Sequence, residues 1–139
     1  MSMKNIEAVR KFFQADKFVT YAGIEIVSVD DDKAVVSAEI TERHLNANGT
    51  VQGGMLYTIA DFAFAVLENY KHPITVTQNG NISYVNAVGS SRITATATEL
   101  LRKGHNTVCD VTVTADDGAV LCVCRFNGFV KDLPKKIFE

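Results

Sequence analysis

Asp61 is the one charged side chain between Met55 and Val66, a stretch of about three helical turns. An isolated carboxylate in apolar surroundings costs several kcal/mol unless it finds a partner or holds its proton. Two readings fit it. It either faces a hydrated seam or caps a neighbouring loop, or it is a general base or nucleophile made reactive by a dry pocket. Gly53-Gly54 stands where the same helix begins. The first N–H groups of a helix lack intrahelical acceptors and carry the positive end of its dipole. Without a Cβ, a ligand can approach that backbone closely. The pair is either a plain loop-to-helix junction or an oxyanion-type donor for a polarised carbonyl.

Eight residues separate Gly53 from Asp61, which is ~12 Å at ~1.5 Å per residue. A base or nucleophile and an oxyanion donor must both come within about 3 Å of one reacting centre. One helix cannot supply both to the same carbon. If both groups serve one reaction, the Asp comes from one subunit and the Gly from another. Two antiparallel copies of the helix across a two-fold axis would build two equivalent sites.

Other chemistries find little support. His44, His72 and His105 show no His/Cys/Asp spacing suited to a metal, so no metal site is expected. His44, two residues before Asn46, reads as a surface histidine, with lining a pocket mouth as the alternative. Cys109, Cys122 and Cys124 read as small core residues without a base beside them. No Gly-x-Ser-x-Gly elbow and no Gly-x-x-x-x-Gly-Lys phosphate loop is present.

These residues need elements to hold them. Ile6, Val9, Phe12 and Phe13 recur at helical spacing, predicting an amphipathic helix over 4–16. Strands follow over 24–29 and 34–40, split by the charged turn at Asp30-Asp31-Asp32-Lys33. A polar loop spans 41–52. The helix that opens at Gly53 is apolar on nearly every face and ends near Lys71, because Pro73 cannot continue it. Such a helix has to be covered all round, most simply by a curved sheet. Residues 74–77 and 82–85 read as strand, and Asn79-Gly80 between them fits either a hairpin turn or a bulge in one long strand. Strands over 92–98, 107–114 and 119–130, joined by tight turns, complete an antiparallel meander. The class is α+β.

The chain has 139 residues, a hydrophobic share of 47% and a net charge of −2, values of an ordinary single globular domain over 1–139. That charge gives no case for nucleic acid. No apolar run approaches the ~20 residues needed to span a bilayer. The first residues lack the apolar core of a secretory signal, and three cysteines without CxxC spacing suit a reducing cytoplasm.

The run from Asn46 to Ala65, with Gly53-Gly54 and Ala60-Asp61 inside it, resembles the Asn…His-Gly-Gly…Ala-Asp signature of PaaI-like hotdog-fold acyl-CoA thioesterases. The likeness extends to Asn81-Ile82-Ser83-Tyr84 and the closing strands. It implies a hotdog fold, with an antiparallel sheet wrapped around the central helix and a long strand after it, bulged at Gly80. It implies an acyl-CoA substrate, no cofactor beyond the CoA of that substrate, and a homodimer or a tetramer of paired dimers. Gly53 N–H would polarise the thioester carbonyl. Asp61 of the partner subunit would activate water or attack directly, Asn46 would orient the water, and Thr77 matches a family hydroxyl. Gly54 and Asn81 would lie with Gln52 along the substrate. Arg102 and Lys103 at a turn, with Arg92 behind them, are candidates for the CoA phosphates, or ordinary solvated charges. Gln52 departs from the family His; it keeps a donor and an acceptor but no titratable proton. That departure supports an alternative, a non-catalytic hotdog protein that binds acyl-CoA. A hydratase would want a catalytic His in the motif, and none is there.

Overall fold

The computed structural model describes residues 5–89 and 91–132. Two short helices come first, α1 (Ile6–Phe13) and α2 (Lys17–Ala22). Asn5 Oδ1 caps α1 by accepting from Glu7 N at 2.8 Å. The single helix expected over 4–16 therefore starts later, and Lys4 lies outside the described residues. It is also followed by a second helix that the apolar spacing did not reveal. Asp16 is the N-cap of that helix, accepting from Val19 N at 3.2 Å, and Gly23 ends it at φ 76°. Phe18 and Tyr21 on α2 point outward, so α2 has no apolar stripe to read.

Strands β1 (Glu25–Val29) and β2 (Ala34–Glu39) precede a single 3-10 turn at Glu42–His44, which interrupts the expected loop. The central helix α3 (Gly53–Lys71) then runs 19 residues, and four strands follow: β3 (Thr75–Tyr84), β4 (Arg92–Lys103), β5 (Asn106–Thr114) and β6 (Val120–Val130). All six strands form one antiparallel sheet in the order β1-β2-β4-β5-β6-β3. This is the hotdog arrangement. β4 continues past Thr98 to Lys103, carried through a bulge between Glu99 and Leu101. No described helix is long and apolar enough to cross a membrane.

α3 packs on every strand of the sheet. Ile59, Ala60, Phe62, Ala63, Phe64, Val66 and Leu67 are all buried and cover most of the helix, whereas Thr58, Asp61 and Ala65 lie half-buried along one remaining side, so the helix is not covered all round. Phe64 stacks on Phe126 of β6 with centroids 5.6 Å apart, and Phe62 meets Phe13 of α1 edge-on at 5.3 Å. Cys109, Cys122 and Cys124 are core residues, buried with free thiols.

β3 is one long strand, as the family likeness implied, but its bulge lies between Thr77 and Asn79 rather than at Gly80. The position matters because side chains alternate faces along a strand. The extra residue at Gln78 switches the parity, so Thr75 and Thr77 face the helix before it and Gly80 and Ile82 face the helix after it. Gly80 serves a different end: a Cβ there would run into Tyr57 Oη and the Phe126 ring. β3 is also an edge, hydrogen-bonded to β6 on one side only.

Truncating Phe64 should show how much the helix-to-sheet contact contributes. Phe64→Ala is expected to lower unfolding free energy by ~3–5 kcal/mol, the usual range for a buried aromatic. Urea denaturation followed by circular dichroism measures it.

Candidate active site

The bulge brings Thr77 to Asp61: Thr77 Oγ1 donates to Asp61 Oδ1 at 2.8 Å. Asp61 sits half-buried on α3, one turn beyond Tyr57, whose hydroxyl lies over Gly80. Burial pushes the Asp61 carboxyl above the usual carboxylate range; the Thr77 hydrogen bond works against this and the Asp16 carboxylate adds to it. Asp61 is thus a carboxylate with one donor, a partly dry setting and no cation bonded to it among the described residues.

At the start of α3 neither Gly53 N–H nor Gly54 N–H has an acceptor among the described residues. Both point out of the helix with its positive dipole end behind them. Tyr84 Oη, from the end of β3, donates to Gly53 O at 3.2 Å, and its ring lies 3.5 Å from where a Gly53 Cβ would be. Gln52 is the N-cap. Its side-chain oxygen accepts from Met55 N at 3.2 Å, and its own N–H donates to His44 O at 2.8 Å. This gives Gln a local reason to occupy the position, since the carbonyl oxygen caps the helix and leaves the amide nitrogen outward.

Asn46 belongs to a closed polar loop. Its side-chain oxygen accepts from Asn48 N and Thr50 N at 2.9 and 3.1 Å, and Nδ2 donates to Thr50 Oγ1 at 2.8 Å. One N–H of the amide remains for anything else.

His44 is not a surface residue. It is buried, with Nε2 2.7 Å from Ala22 O and Nδ1 accepting from Thr41 N at 2.9 Å, so it ties the 3-10 turn to α2. It does border a cavity of about 670 Å³ that opens beside Gln52 and Gly54 and is walled by Phe18, Tyr21 and Met55.

Three expected site residues lie elsewhere in the chain. Asn81 falls on the outer face of the sheet with Asn79, Asp110 and Arg125, because the Gln78 bulge turns it away from α3. Arg102 and Lys103 sit at the β4–β5 turn, beyond the far end of α3 from Gly53; Arg102 Nη1 lies 3.2 Å from His72 Nδ1, and its Nε donates to Gly104 O. Arg92 is not behind them but at the opposite end of β4, bonded to Ser37. Of the aromatics that could size a pocket, Phe62 and Phe64 are locked in the core, leaving Tyr57 and Tyr84 beside the site. The sequence reading also passed over Glu68, which is fully buried in α3. Continuing the apolar run to Lys71 would have exposed it as a second carboxylate, seven residues after Asp61.

No family model matches the chain. Over 127 residues it is 31% identical to the acyl-coenzyme A thioesterase PaaI of Escherichia coli strain K12, covering 90% of each chain. The structure of the E. coli PaaI protein from the phenylacetic acid degradation operon superposes with a TM-score of 0.87, at 23% identity over 92% of this chain and 94% of that one. A hypothetical thioesterase from Streptococcus pneumoniae TIGR4, solved with coenzyme A, superposes with a TM-score of 0.82 at 25% identity, covering 90% of this chain and 98% of that one. The chain belongs to the PaaI-like hotdog-fold acyl-CoA thioesterases, a family of thioester hydrolases.

The raised carboxyl of Asp61 has a stability consequence with a definite sign. Between its unfolded and its folded pKa the folded chain binds the proton more tightly, so stability falls as pH rises through that window. Above it the charged form is a standing cost. Asp61→Asn, which keeps an acceptor for Thr77, is expected to raise Tm at neutral pH, with the gain shrinking on acidification. Thermal melts of both proteins at a series of pH values measure it.

Proposed function

We propose that this chain hydrolyses acyl-CoA thioesters to the free acid and CoA, in a site shared between two subunits. The observation that carries this reading is the pairing of Asp61 with Thr77, on a helix whose first two amides have no acceptor among the described residues. Gly53 N–H receives the thioester oxygen as negative charge develops there. Asp61, held by Thr77, takes the proton from an attacking water or attacks the carbonyl carbon itself. The remaining Asn46 N–H orients the water. The CoA thiolate leaves, and the basic side chains Arg102 and Lys103 are available to its phosphates from another subunit's side.

Sharing follows from reach. Asp61 and Gly53 are ~12 Å apart along one rigid helix, so a single chain cannot present both to one carbon. The open edge of β3 supports a partner there: it is ten residues long, its hydrogen-bonding groups face outward, and Val76, Tyr84 and Val85 are exposed along it. Joining two such edges antiparallel would continue the sheet and set the two central helices side by side, as a homodimer that can pair again into a tetramer. An acyl-CoA substrate agrees with the coenzyme A in the pneumococcal relative's structure.

Gly53→Pro is a clean test of the donor. Gly53 is the first helical residue, where proline is well tolerated, yet proline removes the N–H. Gly53→Pro is expected to lower kcat ~10²–10³-fold and Asp61→Asn ~10²–10⁴-fold, with KM little changed, measured by thiol release from a panel of acyl-CoAs. Unchanged turnover in Asp61→Asn removes that residue from the reaction. Mixing the two inactive variants should restore roughly a quarter of wild-type turnover, since half the dimers keep one intact site of two. No recovery on mixing means that both groups work within one chain or not together.

A further inference from the structure

The C-terminal end of α3 gathers ionisable groups that thioester hydrolysis does not use. Glu68 and His72 are four residues apart at the end of the helix, and Glu99 reaches them from β4. His72 Nε2 lies 2.7 Å from Glu99 Oε1 and 3.5 Å from Glu68 Oε2. One donor atom from each of the three falls within 4.8 Å of the others. Sequence spacing concealed this set, because 27 residues separate His72 from Glu99.

Glu68 supplies the independent observation. It is 0% exposed, its Oε1 accepts from Cys109 Sγ at 2.8 Å, and its Oε2 accepts no hydrogen bond among the described residues. That oxygen is aimed into the cluster, at His72. Thr107, two residues before Cys109 on the same face of β5, is also fully buried, with no partner in hydrogen-bond geometry for its hydroxyl among the described residues. A buried carboxylate oxygen without a donor is a costly arrangement that proteins normally relieve with a hydrogen bond, an ordered water or an ion.

We propose that Glu68, His72 and Glu99 form a binding site for one divalent transition-metal ion of the zinc class, clamping the end of α3 to β4. One imidazole and two carboxylates make a mixed nitrogen and oxygen set, which suits zinc better than magnesium, a cation that prefers oxygen alone. Metal bonds of ~2.0–2.1 Å in a tetrahedral site put donor atoms ~3.3–3.4 Å apart. The His72-to-Glu68 gap of 3.5 Å already meets this. Glu99 has to withdraw by about half an ångström from His72, and the Glu68 and Glu99 donors, within 4.8 Å of each other, have to settle at the same spacing, leaving the fourth position to water.

Arg102 sets the difficulty of loading. A guanidinium only donates, so at 3.2 Å it makes His72 Nδ1 an acceptor and leaves the ring proton on Nε2, facing Glu99. A metal on Nε2 requires that proton to move to Nδ1, which Arg102 opposes. Lys71, 3.1 Å from Glu99 Oε2, adds a second positive charge nearby. Asp61 is ~10 Å away along the helix, so the ion braces the fold and does not enter the reaction.

The test uses the full chain, freed of metal by a chelator and titrated with zinc sulfate by calorimetry, with bound zinc counted by elemental analysis. One zinc per chain and a rise in Tm on loading are expected. Glu99→Gln and His72→Gln should each weaken binding at least about tenfold, while Arg102→Gln should tighten it severalfold. Glu99→Gln alters the least buried ligand and keeps the hydrogen-bonding shape, and unchanged circular dichroism confirms its fold. Failure of the wild-type chain to take up zinc overturns the proposal, as does wild-type affinity retained in both Glu99→Gln and His72→Gln.

Discussion

Everything in this fold answers to one constraint: a 19-residue helix with apolar side chains over most of its surface has to be kept from water along most of its length. Helices α1 and α2 cover little of it. The sheet must therefore curl around it, and six twisted antiparallel strands do so. The curl in turn decides which strand meets which turn of the helix. Tyr57, Asp61, Phe64 and Glu68 are spaced four, three and four residues apart and form a single stripe. That stripe meets Gly80 and Thr77 of β3, then Phe126 of β6, then Cys109 of β5 and the Glu99 cluster on β4. A half-buried carboxylate toward one end and a buried ionic cluster at the other are consequences of one stripe crossing a twisted sheet.

The stripe also explains how a carboxylate survives inside such a helix. Asp61 falls where the helix passes the edge strand, so it stays half-buried and needs only the Thr77 hydroxyl. The bulge at Gln78 is what makes this possible. With regular alternation through β3, a strand that faced Thr75 and Thr77 inward would also turn Asn79 and Asn81 toward the helix, where Tyr57 and Phe126 now pack over Gly80. One extra residue lets a polar residue serve Asp61 and an absent side chain serve Tyr57 on the same strand.

Much of this was legible in the residues. α3 was visible from its continuous apolar run and from Pro73 beyond it, and the strands from alternation and from turns such as Asp116-Asp117-Gly118. Asp61 and Gly53 stood out because a charge inside an apolar run and a Gly pair before one are both locally unusual. What stayed hidden has local causes too. α2 lacks an apolar stripe because its aromatics face outward, and only the Asp16 and Gly23 caps mark it. Gly80 looked like the bulge because glycine permits one, yet it is demanded by a side chain 23 residues earlier. Asn81 was placed by likeness and Arg102 by its charge at a turn, and strand parity and sheet length put them on other surfaces.

The two carboxylates of α3 show how place on the stripe determines chemical character. Both are pushed upward first by burial, but what opposes that push differs. Asp61 is opposed by a single hydroxyl at an open edge, so its charged form remains accessible. Glu68 is enclosed by a thiol, an imidazole and a second carboxylate, and no solvent reaches it. Glu99 is also pushed up by burial, but the hydrogen bond from His72 and its neighbours outweighs this and holds the carboxyl below the ordinary range. Of the two, Glu99 carries its negative charge more readily, next to Lys71. A carboxylate at an open edge of the sheet can meet something that arrives there, whereas one sealed seven residues further along can act only on the fold that encloses it.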